Sequence, residues 1–402
     1  MAKAEASVIA AQRACPAGCG HEVELLAELE FGAFDDVPLD RCTRLVACRH
    51  CGQTYNDGAF DQAALDTFYR DHGSYAVEMT AGGGMDPWDM DRYELALEVL
   101  ERHIQSDHPS IIDVGCANGG FISTLTRFGY DRLYGVDLSI NRVEYVRHIC
   151  KLPAALGSAD KLPYRDVTPD VLVYSHLIEH LYDPQRALQE AHDRLADDGF
   201  VYLEVADASR YGELPVCAFH WLGQSERVTH FDTHHLANLA RRSGFTPVET
   251  GQLTAPISET IAIPVCYAVL RKAEAEAVQP DVTLGHALRR YVDEQREAIQ
   301  DRQATIATLA KKGSPVILWG IGHELFCLYD LAGLNRCPLT ALVDDSLAKQ
   351  DRTVNGLPVL GRERLKEATA EDAVVITSAS GRPAMERHLN DIGFAGAVVT
   401  LG

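Results

Sequence analysis

The sequence predicts an α/β protein with a central, doubly wound parallel sheet, a small cysteine-rich module before it and a second, smaller α/β unit after it. Strand and helix patterns alternate regularly from residue 91 to residue 272, which favours parallel strands joined by helices. A strand, a glycine turn and a helix occur in this order twice, at residues 111–127 and again from Pro315. With 402 residues, of which 46% are hydrophobic, the chain can form two or three domains. We place the boundaries at residues 1–75, 76–275, 276–312 and 313–402.

The N-terminal module is predicted from its cysteines, since five of the eleven in the chain fall within the first 51 residues. Cys15 and Cys19 (ACPAGCG) and Cys48 and Cys51 (LVACRHCG) form two pairs at short spacing, each followed by glycine. Such pairs are what a structural Zn²⁺ site with four thiolate ligands requires, and four thiolates leave no open position for a substrate. Four ordinary reduced cysteines are the alternative. The other residues that could replace one ligand are Cys42, His21 and His50.

Residues 61–91 lead from this module to the central domain. They begin with a helical pattern, DQAALDTFYRDH, and continue into AGGGMDPWDM, whose glycines and proline prevent regular structure. We expect a loop beside the central domain. Tyr69 and Tyr75 are candidates for substrate contact there, with plain packing as the alternative.

The stretch IIDVGCANGG at residues 111–120 predicts a buried strand, a tight turn at Gly115 and a following helix, which together make a nucleotide cradle. Asp113 precedes the turn, where a carboxylate suits an amino group and would repel a pyrophosphate. Asp137 ends the next strand, where it can accept hydrogen bonds from both hydroxyls of a ribose. Asp160, in GSADKLP, is expected at the end of a third strand, where it could receive an adenine amino group.

Acids at three successive strand ends, in DVGCANGG, YGVDLS and GSADKLP, resemble the S-adenosylmethionine (SAM) methyltransferase family. The resemblance implies methyl transfer from bound SAM by a class I methyltransferase domain. The family pattern has glycine at position 117, where this chain has Ala117. The alternative is a doubly wound domain that binds another nucleotide. The residues assigned to SAM are Asp113, Gly115, Ala117, Gly119, Asp137, Leu138, Asp160 and Ser175.

Candidates for the acceptor side follow the fourth and fifth predicted strands, because ligands of such sheets lie at the carboxyl ends of the strands. His176 and His180 come directly after the fourth strand, and would share a helix face if this stretch is helical. Residues 208–235 contain four more histidines, together with Glu226 and Arg227. A loop of this composition after the fifth strand is typical of a binding site for the methyl acceptor.

The C-terminal part is predicted to begin with one amphipathic connecting helix over residues 281–312. Its charged face is either simply solvated or part of a homodimer contact. A second Rossmann-like domain follows, in which Gly320 and Gly322 lie in the glycine turn WGIG and Glu324 lies where a phosphate would be repelled. We expect this domain to pack or to cover substrate rather than to bind a nucleotide.

Composition restricts the classes of partner. A net charge of −21 disfavours nucleic acid and anionic membranes, since both require basic protein surface. No apolar run approaches the length of a membrane span, and the first residues lack the apolar core of a secretory signal. We therefore expect a cytoplasmic protein with a small-molecule substrate.

A cysteine module, a central SAM domain and a C-terminal WGIG domain, in this order, resemble the sugar C-methyltransferases of deoxysugar and polysaccharide pathways. The resemblance covers nearly the whole chain. It implies a nucleotide-linked keto-sugar that loses a proton next to the ketone before methylation. It matches His180 to the family histidine after strand four and Glu226 to the glutamate of a Glu-His pair. The histidine of that pair, the family's general base, is Arg227 here, and a guanidinium cannot accept the proton.

We therefore predict a SAM-dependent methyltransferase whose general base remains open. C-methyl transfer is favoured by the resemblance, and O- or N-methyl transfer remains an alternative. Arg227 and His176 are assigned to substrate binding, with Arg227 holding an acidic group such as a phosphate. A different class of function is a catalytically inactive SAM-binding or scaffolding subunit of a biosynthetic complex, although three aimed carboxylates favour the enzyme. The candidates for the catalytic role are His180, Glu226, His230 and Tyr75.

Overall fold

The computed structural model describes residues 8–58, 60–72, 86–256 and 261–401. The chain divides into two compact units. The first comprises Met1–Leu26, Arg44–Pro215 and Glu226–Arg289, and the second comprises Ala27–Thr43, Val216–Ser225 and Arg290–Gly402. Tyr75, a predicted catalytic residue, lies outside the described residues.

The regular elements are numbered in chain order over the described residues. The strands are β1 (Val8–Ala10), β2 (Glu22–Glu30), β3 (Cys42–Cys48), β4 (Thr54–Asn56), β5 (Ser110–Val114), β6 (Arg132–Asp137), β7 (Ala154–Leu156), β8 (Val171–Ser175), β9 (Phe200–Ala206), β10 (Thr229–His230), β11 (Phe245–Pro256), β12 (Ala262–Lys272), β13 (Val316–Trp319), β14 (Leu339–Val343), β15 (Thr353–Val354), β16 (Leu357–Leu360), β17 (Ala373–Ile376) and β18 (Ala397–Thr400). The α-helices are α1 (Gln62–Thr67), α2 (Pro87–Glu101), α3 (Gly120–Arg127), α4 (Ile140–Tyr145), α5 (Pro184–Arg194), α6 (Thr233–Arg242), α7 (Thr283–Ala298), α8 (Gln300–Lys312), α9 (His323–Tyr329) and α10 (Arg382–Asp391).

The first unit contains a seven-stranded sheet of order β11-β12-β9-β8-β5-β6-β7. Strands β5 to β9 pair in parallel, whereas β12 pairs antiparallel with β9 and β11. The strand order reverses at β5, which has β6 on one side and β8 on the other. The carboxyl ends of β5 and β8 therefore border the crevice in which doubly wound sheets bind ligands. The predicted doubly wound α/β fold is confirmed.

Both faces of this sheet are buried, which is why its strands are almost continuously apolar. Along β8, Leu172 and Tyr174 pack into a core cluster that includes residues of α5 and α6. Val171 and Val173 alternate with them and pack into a second cluster that includes residues of α2 and α3. Leu172 is 0% exposed, so its truncation to alanine would cost about 2–5 kcal/mol.

A five-stranded sheet of order β1-β2-β3-β4-β10 carries the N-terminal cysteine pairs. Its edge strand β10 is only two residues long and pairs antiparallel with β4. Thr229 lies opposite Tyr55, and His230 lies opposite Thr54. Residues next to the N-terminal cysteines and residues of the predicted acceptor loop therefore belong to the same sheet.

The second unit contains a six-stranded sheet of order β15-β16-β14-β13-β17-β18, parallel except for the pair β15 and β16. Strand β13, the glycine turn and α9 follow one another as predicted. The short hairpin of β15 and β16 was not predicted from the sequence. Its two strands are too short to show an alternating pattern.

The predicted single connecting helix is interrupted, and this prediction was wrong at one residue. Helix α7 ends at Ala298 and α8 begins at Gln300. Between them Ile299 has φ −94° and ψ −1°, and its side chain is 1% exposed. The apolar periodicity continues through the break, so the sequence pattern did not show it. No helix in the described part of the chain is both long and apolar enough to span a membrane.

Candidate functional site

The turn after β5 has the backbone conformation that a close ligand approach needs. Gly115, Ala117 and Gly119 have φ values of 80°, 46° and 74°, all in the left-handed region. A Cβ at Gly115 would lie 3.2 Å from both Leu177 methyl carbons, so the position is crowded as well as left-handed. At Ala117 the side chain costs about 1–2 kcal/mol of backbone strain, which explains why glycine is the residue expected there.

Asp137 holds this turn in place from the end of β6. One carboxylate oxygen accepts the Ala117 N–H at 3.0 Å, and the other accepts the Ser139 N–H at 2.8 Å. Asp137 and Leu138 are both half-buried, so the remaining lone pairs of the carboxylate face partly open space. Burial raises the pKa of Asp137, while the hydrogen bonds from Ser139 and Ala117 lower it. The carboxylate is therefore preorganised to accept further hydrogen bonds from a diol.

Asp113 is the buried acid of the turn, with an exposed fraction of 4%. Burial raises the pKa of its carboxyl to about 7; the negative charges of Asp137 and Glu204 add to this effect, and Arg92 opposes it. A ligand ammonium beside this carboxyl would favour its ionised form, since an opposite charge lowers the pKa of an acid. The residue thus fits the amino group of the methionine part of SAM.

Asp160 and Ser175 are two further residues that were predicted to bind SAM. The prediction that Asp160 ends a strand was wrong, because β7 ends at Leu156 and Asp160 lies in the loop beyond it. Asp160 is exposed and accepts a hydrogen bond from the Ser158 hydroxyl at 2.6 Å. Ser175 ends β8 and donates its hydroxyl to Glu204 Oε1 at 2.9 Å. Asp160 also lies 3.8 Å from Arg186 Nη2, so both Asp160 and Ser175 already contact protein groups.

A buried carboxylate, Glu179, lies at the centre of the residues that follow β8. Its Oε1 is 3.4 Å from His176 Nδ1, 3.9 Å from His180 Nε2 and 3.3 Å from the Ala206 N–H. Burial acts to raise the pKa of Glu179, but His176, His180 and Arg227 outweigh it and lower the pKa to about 2. Glu179 is therefore ionised at neutral pH, and its charge lies beside both histidine rings.

His176 lies between two buried acids, Glu179 and Glu204. The backbone φ of His176 is 49°, and its backbone N–H donates to the Glu204 carbonyl at 2.7 Å. Its ring Nε2 lies 3.3 Å from Glu204 Oε1. The ring thus bridges Glu179 and Glu204. This arrangement supports a positioning role, and the predicted role of His176 in substrate binding stays a prediction.

His180 lies in the short 3-10 turn Ile178–His180, which does not include His176, so the condition for a shared helix face is not met. Its Nδ1 is 3.0 Å from the Glu226 carbonyl oxygen, and because a carbonyl only accepts, Nδ1 carries the hydrogen. Nε2 is then the proton-accepting nitrogen. Burial lowers the pKa of His180 to about 4; Glu179 opposes this shift and the charge of Arg227 adds to it. The ring of Tyr69 packs edge-on against the imidazole at 5.6 Å.

Arg227, Tyr211 and His230 complete the group that contains Glu179, His176 and His180. We call this group the His180–Arg227 cluster. Arg227 is 6% exposed and donates from Nη1 to the Tyr211 hydroxyl at 3.5 Å. The same hydroxyl lies 3.2 Å from His230 Nδ1. Burial and the charge of Arg227 lower the pKa of His230 to about 3, and its Nε2 has no hydrogen-bond partner among the described residues. Glu226 is half-buried, and burial raises its pKa.

Part of the chain that contains this site matches a known protein family. Residues 88–250 match the family model described as "Methyltransferase domain". They form a class I SAM-dependent methyltransferase domain. The match covers the strand-end acids and the His180–Arg227 cluster and stops before β12.

Two curated relatives match part of this domain. A tRNA U34 carboxymethyltransferase of Campylobacter curvus (strain 525.92) is 26% identical over 124 residues, which cover 30% of this chain and 42% of that protein. A ubiquinone biosynthesis O-methyltransferase of Neisseria meningitidis serogroup C (strain 053442) is 24% identical over 188 residues, which cover 42% of this chain and 77% of that protein. The chain thus spans less than half the length of the first relative.

Solved structures also align with part of the chain. The 1,6-didemethyltoxoflavin-N1-methyltransferase of Burkholderia thailandensis aligns at 16% identity with a TM-score of 0.39, over 56% of this chain and 98% of that one. The PH0226 protein of Pyrococcus horikoshii OT3 aligns at 19% identity with a TM-score of 0.36, over 51% of this chain and 95% of that one.

Two side chains of the N-terminal module, Arg13 and Gln53, form hydrogen bonds with the methyltransferase domain. The Arg13 guanidinium is buried, donates to the carbonyl oxygens of Tyr182 and Val228, and lies 4.8 Å from the centre of the Tyr182 ring. Gln53 donates its amide to the His230 carbonyl at 2.6 Å. These contacts fix the loop after His180 and the segment that carries Arg227 and His230.

The four cysteines named in the N-terminal module come together as predicted. Ligand atoms of Cys15, Cys19, Cys48 and Cys51 all lie within 4.8 Å of one another, and the Cys15 and Cys51 sulfurs are 3.6 Å apart. A turn at Gly52 closes the second pair, where a Cβ would meet the Asp281 carbonyl oxygen at 1.6 Å. The set fits a tetrahedral Zn²⁺ site, with the four thiolates as ligands. The suggested substitutes Cys42, His21 and His50 are not members of this group.

The glycine turn of the second unit is built like that of the methyltransferase domain. The Ile321 N–H donates to Asp344 Oδ2 at 2.7 Å, and the Ser346 N–H donates to Asp344 Oδ1 at 2.9 Å. Here, however, Lys349 Nζ lies 3.3 Å from the same carboxylate. Glu324 accepts the Ala379 N–H at 2.8 Å.

Three residues of the site were missed by sequence reasoning. Glu179, Tyr211 and Arg13 were given no role from the sequence. Glu179 could have been found from its place between His176 and His180 at a strand end. Nothing in the sequence around Arg13 or Tyr211 indicates their partners, which are distant in the chain.

Proposed function

We propose that the chain is an active SAM-dependent methyltransferase for a small polar acceptor, with a nucleotide-linked sugar as the acceptor class. The observation that carries this proposal is the buried, left-handed turn flanked by Asp113 and Asp137 at the switch point of the sheet. Asp113 supports an ammonium and Asp137 supports a ribose diol, a combination that matches SAM. Bound SAM would supply an electrophilic methyl group on a sulfonium.

The residues for holding SAM divide by the part of the ligand they suit. Asp113 would bind the amino group, and the two oxygens of Asp137 would accept the ribose hydroxyls while they keep the turn closed. Asp160 would reach the adenine amino group from its exposed loop. Gly115 and Gly119 allow the left-handed backbone of the turn, and a Cβ at these positions would crowd Leu177 and Val146.

On the acceptor side, His180 is the proposed general base. Its Nδ1–H is committed to the Glu226 carbonyl, so Nε2 is the nitrogen that would take the proton. Its side chain is 12% exposed, whereas His230 is 1% exposed and is the competing candidate. Glu226 remains a third candidate. Carbon and hydroxyl acceptors both need such a base.

Arg227 would stabilise negative charge on the acceptor, because a guanidinium stays protonated and donates to oxyanions. Such a charge develops when a proton is lost next to a ketone, and it is present from the start on a phosphate. The Arg227 guanidinium donates to the Tyr211 hydroxyl, and the negative charge of Glu179 stabilises it. C-methylation follows from the resemblance to the sugar enzymes, with O- and N-methylation as alternatives.

The direct test incubates the full chain with SAM and a panel of nucleotide-linked sugars, amines and phenols, with products followed by mass spectrometry. Methylated product from the nucleotide-sugar arm alone is the expected result. Product only in another arm would reject the proposed acceptor class. SAM binding by calorimetry without turnover in any arm would favour the scaffolding alternative, and loss of SAM binding as well would reject both.

A further inference from the structure

A second group of metal-binding side chains lies within the second unit. Cys217 and His220 belong to Val216–Ser225, and His323 and Cys327 belong to α9. Ligand atoms of Cys217, His220 and His323 lie within 4.8 Å of one another. The Cys327 thiol is 3.5 Å from His323 Nε2 and in hydrogen-bonding contact with the Cys217 thiol. The ligand atoms of these three residues therefore converge, and the Cys327 thiol lies beside two of them, Cys217 and His323.

The distances suit tetrahedral coordination. Cys217 Sγ is 3.6 Å from His220 Nδ1, and Cys327 Sγ is 3.5 Å from His323 Nε2. With bonds of about 2.3 Å to sulfur and about 2.05 Å to nitrogen, a tetrahedral angle places the two ligand atoms about 3.6 Å apart. Both Cys–His pairs thus already have the edge length of a tetrahedral zinc site.

The backbone around the group is shaped to allow this convergence. His323 and Cys327 are four residues apart on α9 and so share one helix face. Phe219, next to His220, has a φ of 59°, which a non-glycine residue seldom adopts. A Cβ at Gly223 would lie 2.5 Å from the Cys327 sulfur. Gly223 therefore gives the loop room to approach the thiol.

The Cys327 thiol is buried and keeps its proton in the metal-free protein. Cys327 is 0% exposed, and burial, with the Cys217 thiol adding, raises its pKa well above the ordinary value. A bound dication would reverse this effect, because metal ligation releases the thiol proton. Cys217, His220 and His323 are only half-buried, which leaves an ion a route from solvent. His323 Nε2 lies 2.8 Å from the His220 carbonyl oxygen and would exchange this contact for the metal.

We propose that Cys217, His220, His323 and Cys327 bind a Zn²⁺ ion of their own, as a tetrahedral site with two thiolates and two imidazoles. Thiolate and imidazole ligands favour Zn²⁺ over Mg²⁺ or Ca²⁺, which prefer oxygen. On binding, each thiol loses its proton to solvent, and each imidazole binds in its neutral form. With all four positions taken by protein, the ion is structural and would tie Val216–Ser225 to α9.

The test is a Co²⁺ titration of the full chain after removal of metal, followed by absorption of the cobalt–thiolate complexes. Wild type should bind two equivalents, one at the four cysteines of the N-terminal module and one here. The variant Cys217→Ser/His220→Asn should lose the second equivalent, or bind it at least tenfold more weakly, and keep the first. The matched control, Cys337→Ser/His388→Asn, removes a cysteine and a histidine of the same unit outside the group and should bind two equivalents.

Three results would overturn the proposal. The first is a single equivalent in wild type that disappears entirely in Cys48→Ser. The second is two equivalents in Cys217→Ser/His220→Asn with unchanged affinity. The third is a Cys217–Cys327 disulfide in freshly purified protein, detected by peptide mass spectrometry. If the double variant does not fold by circular dichroism, His323→Asn alone is measured, and full retention of the second equivalent there would equally overturn it.

Discussion

The raised pKa of Asp113 predicts how SAM affinity depends on pH. The group has a pKa of about 7 in the free protein, and the ammonium of SAM should bind its ionised form. The apparent Kd then scales with 1 + 10^(pKa − pH), which is about 2 at pH 7 and about 11 at pH 6. Affinity should therefore weaken about fivefold from pH 7 to pH 6, and approach a tenfold loss for each further unit.

The raised pKa of Asp113 also determines how this residue affects folding stability as the pH changes. Because the pKa of Asp113 in the folded protein lies above the ordinary value of 3.8, ionisation of this group opposes folding. This cost is absent below about pH 4 and develops fully as the pH rises through 7. SAM should relieve the cost, so its binding should release a proton near neutral pH.

Calorimetry between pH 5.5 and pH 7 measures this effect, with two controls. Asp113→Asn keeps the shape of the side chain but cannot titrate, so its SAM affinity should be weaker and independent of pH in this range. Binding of methylthioadenosine, which has the nucleoside but lacks the α-amino group of the methionine part of SAM, should not tighten as the pH rises. An unchanged pH slope in Asp113→Asn, or the same slope for methylthioadenosine, would refute the assignment of Asp113 to the amino group.

Four further predictions concern the remaining parts of the site and the N-terminal module. Asp137→Ala should weaken SAM at least tenfold by calorimetry, since it removes charge-assisted hydrogen bonds worth about 1.5–3 kcal/mol; unchanged affinity would discard the ribose assignment. His180→Asn should lower turnover about 10²-fold or more with SAM affinity retained, the usual scale for a general base, whereas full activity in it would pass the role to His230, tested by His230→Asn. Purified protein should contain zinc at the four N-terminal cysteines, and chelation should loosen the N-terminal residues before SAM binding is lost. Arg13→Gln should reduce turnover at least tenfold with SAM affinity within twofold, because Arg13 contacts the loop after His180; a parallel loss of SAM affinity would contradict this.

The parts of the fold that follow from local chemistry were predictable. The turn after β5 was predicted because Gly115 and Gly119 occupy left-handed positions that few residues tolerate. The four-cysteine group was predicted because two short-spaced cysteine pairs impose a local geometry. The helix break at Ile299 was missed because the apolar pattern continues across it. Asp160 was misplaced because a three-residue strand is too short to define its own end.

By itself, the sequence determined the α/β class, the glycine turn with its flanking acids and the four-cysteine site. In each case the information lies within a few adjacent residues, where steric and hydrogen-bond rules act. Only the tertiary structure decided which distant side chains meet. It placed Glu179 beside two histidines and Arg227, and it brought Arg13 to the loop after His180. It also brought the Cys217 thiol into contact with the Cys327 thiol, more than a hundred residues away in the chain. Such contacts depend on strand order and on the path of long loops, which no local pattern encodes.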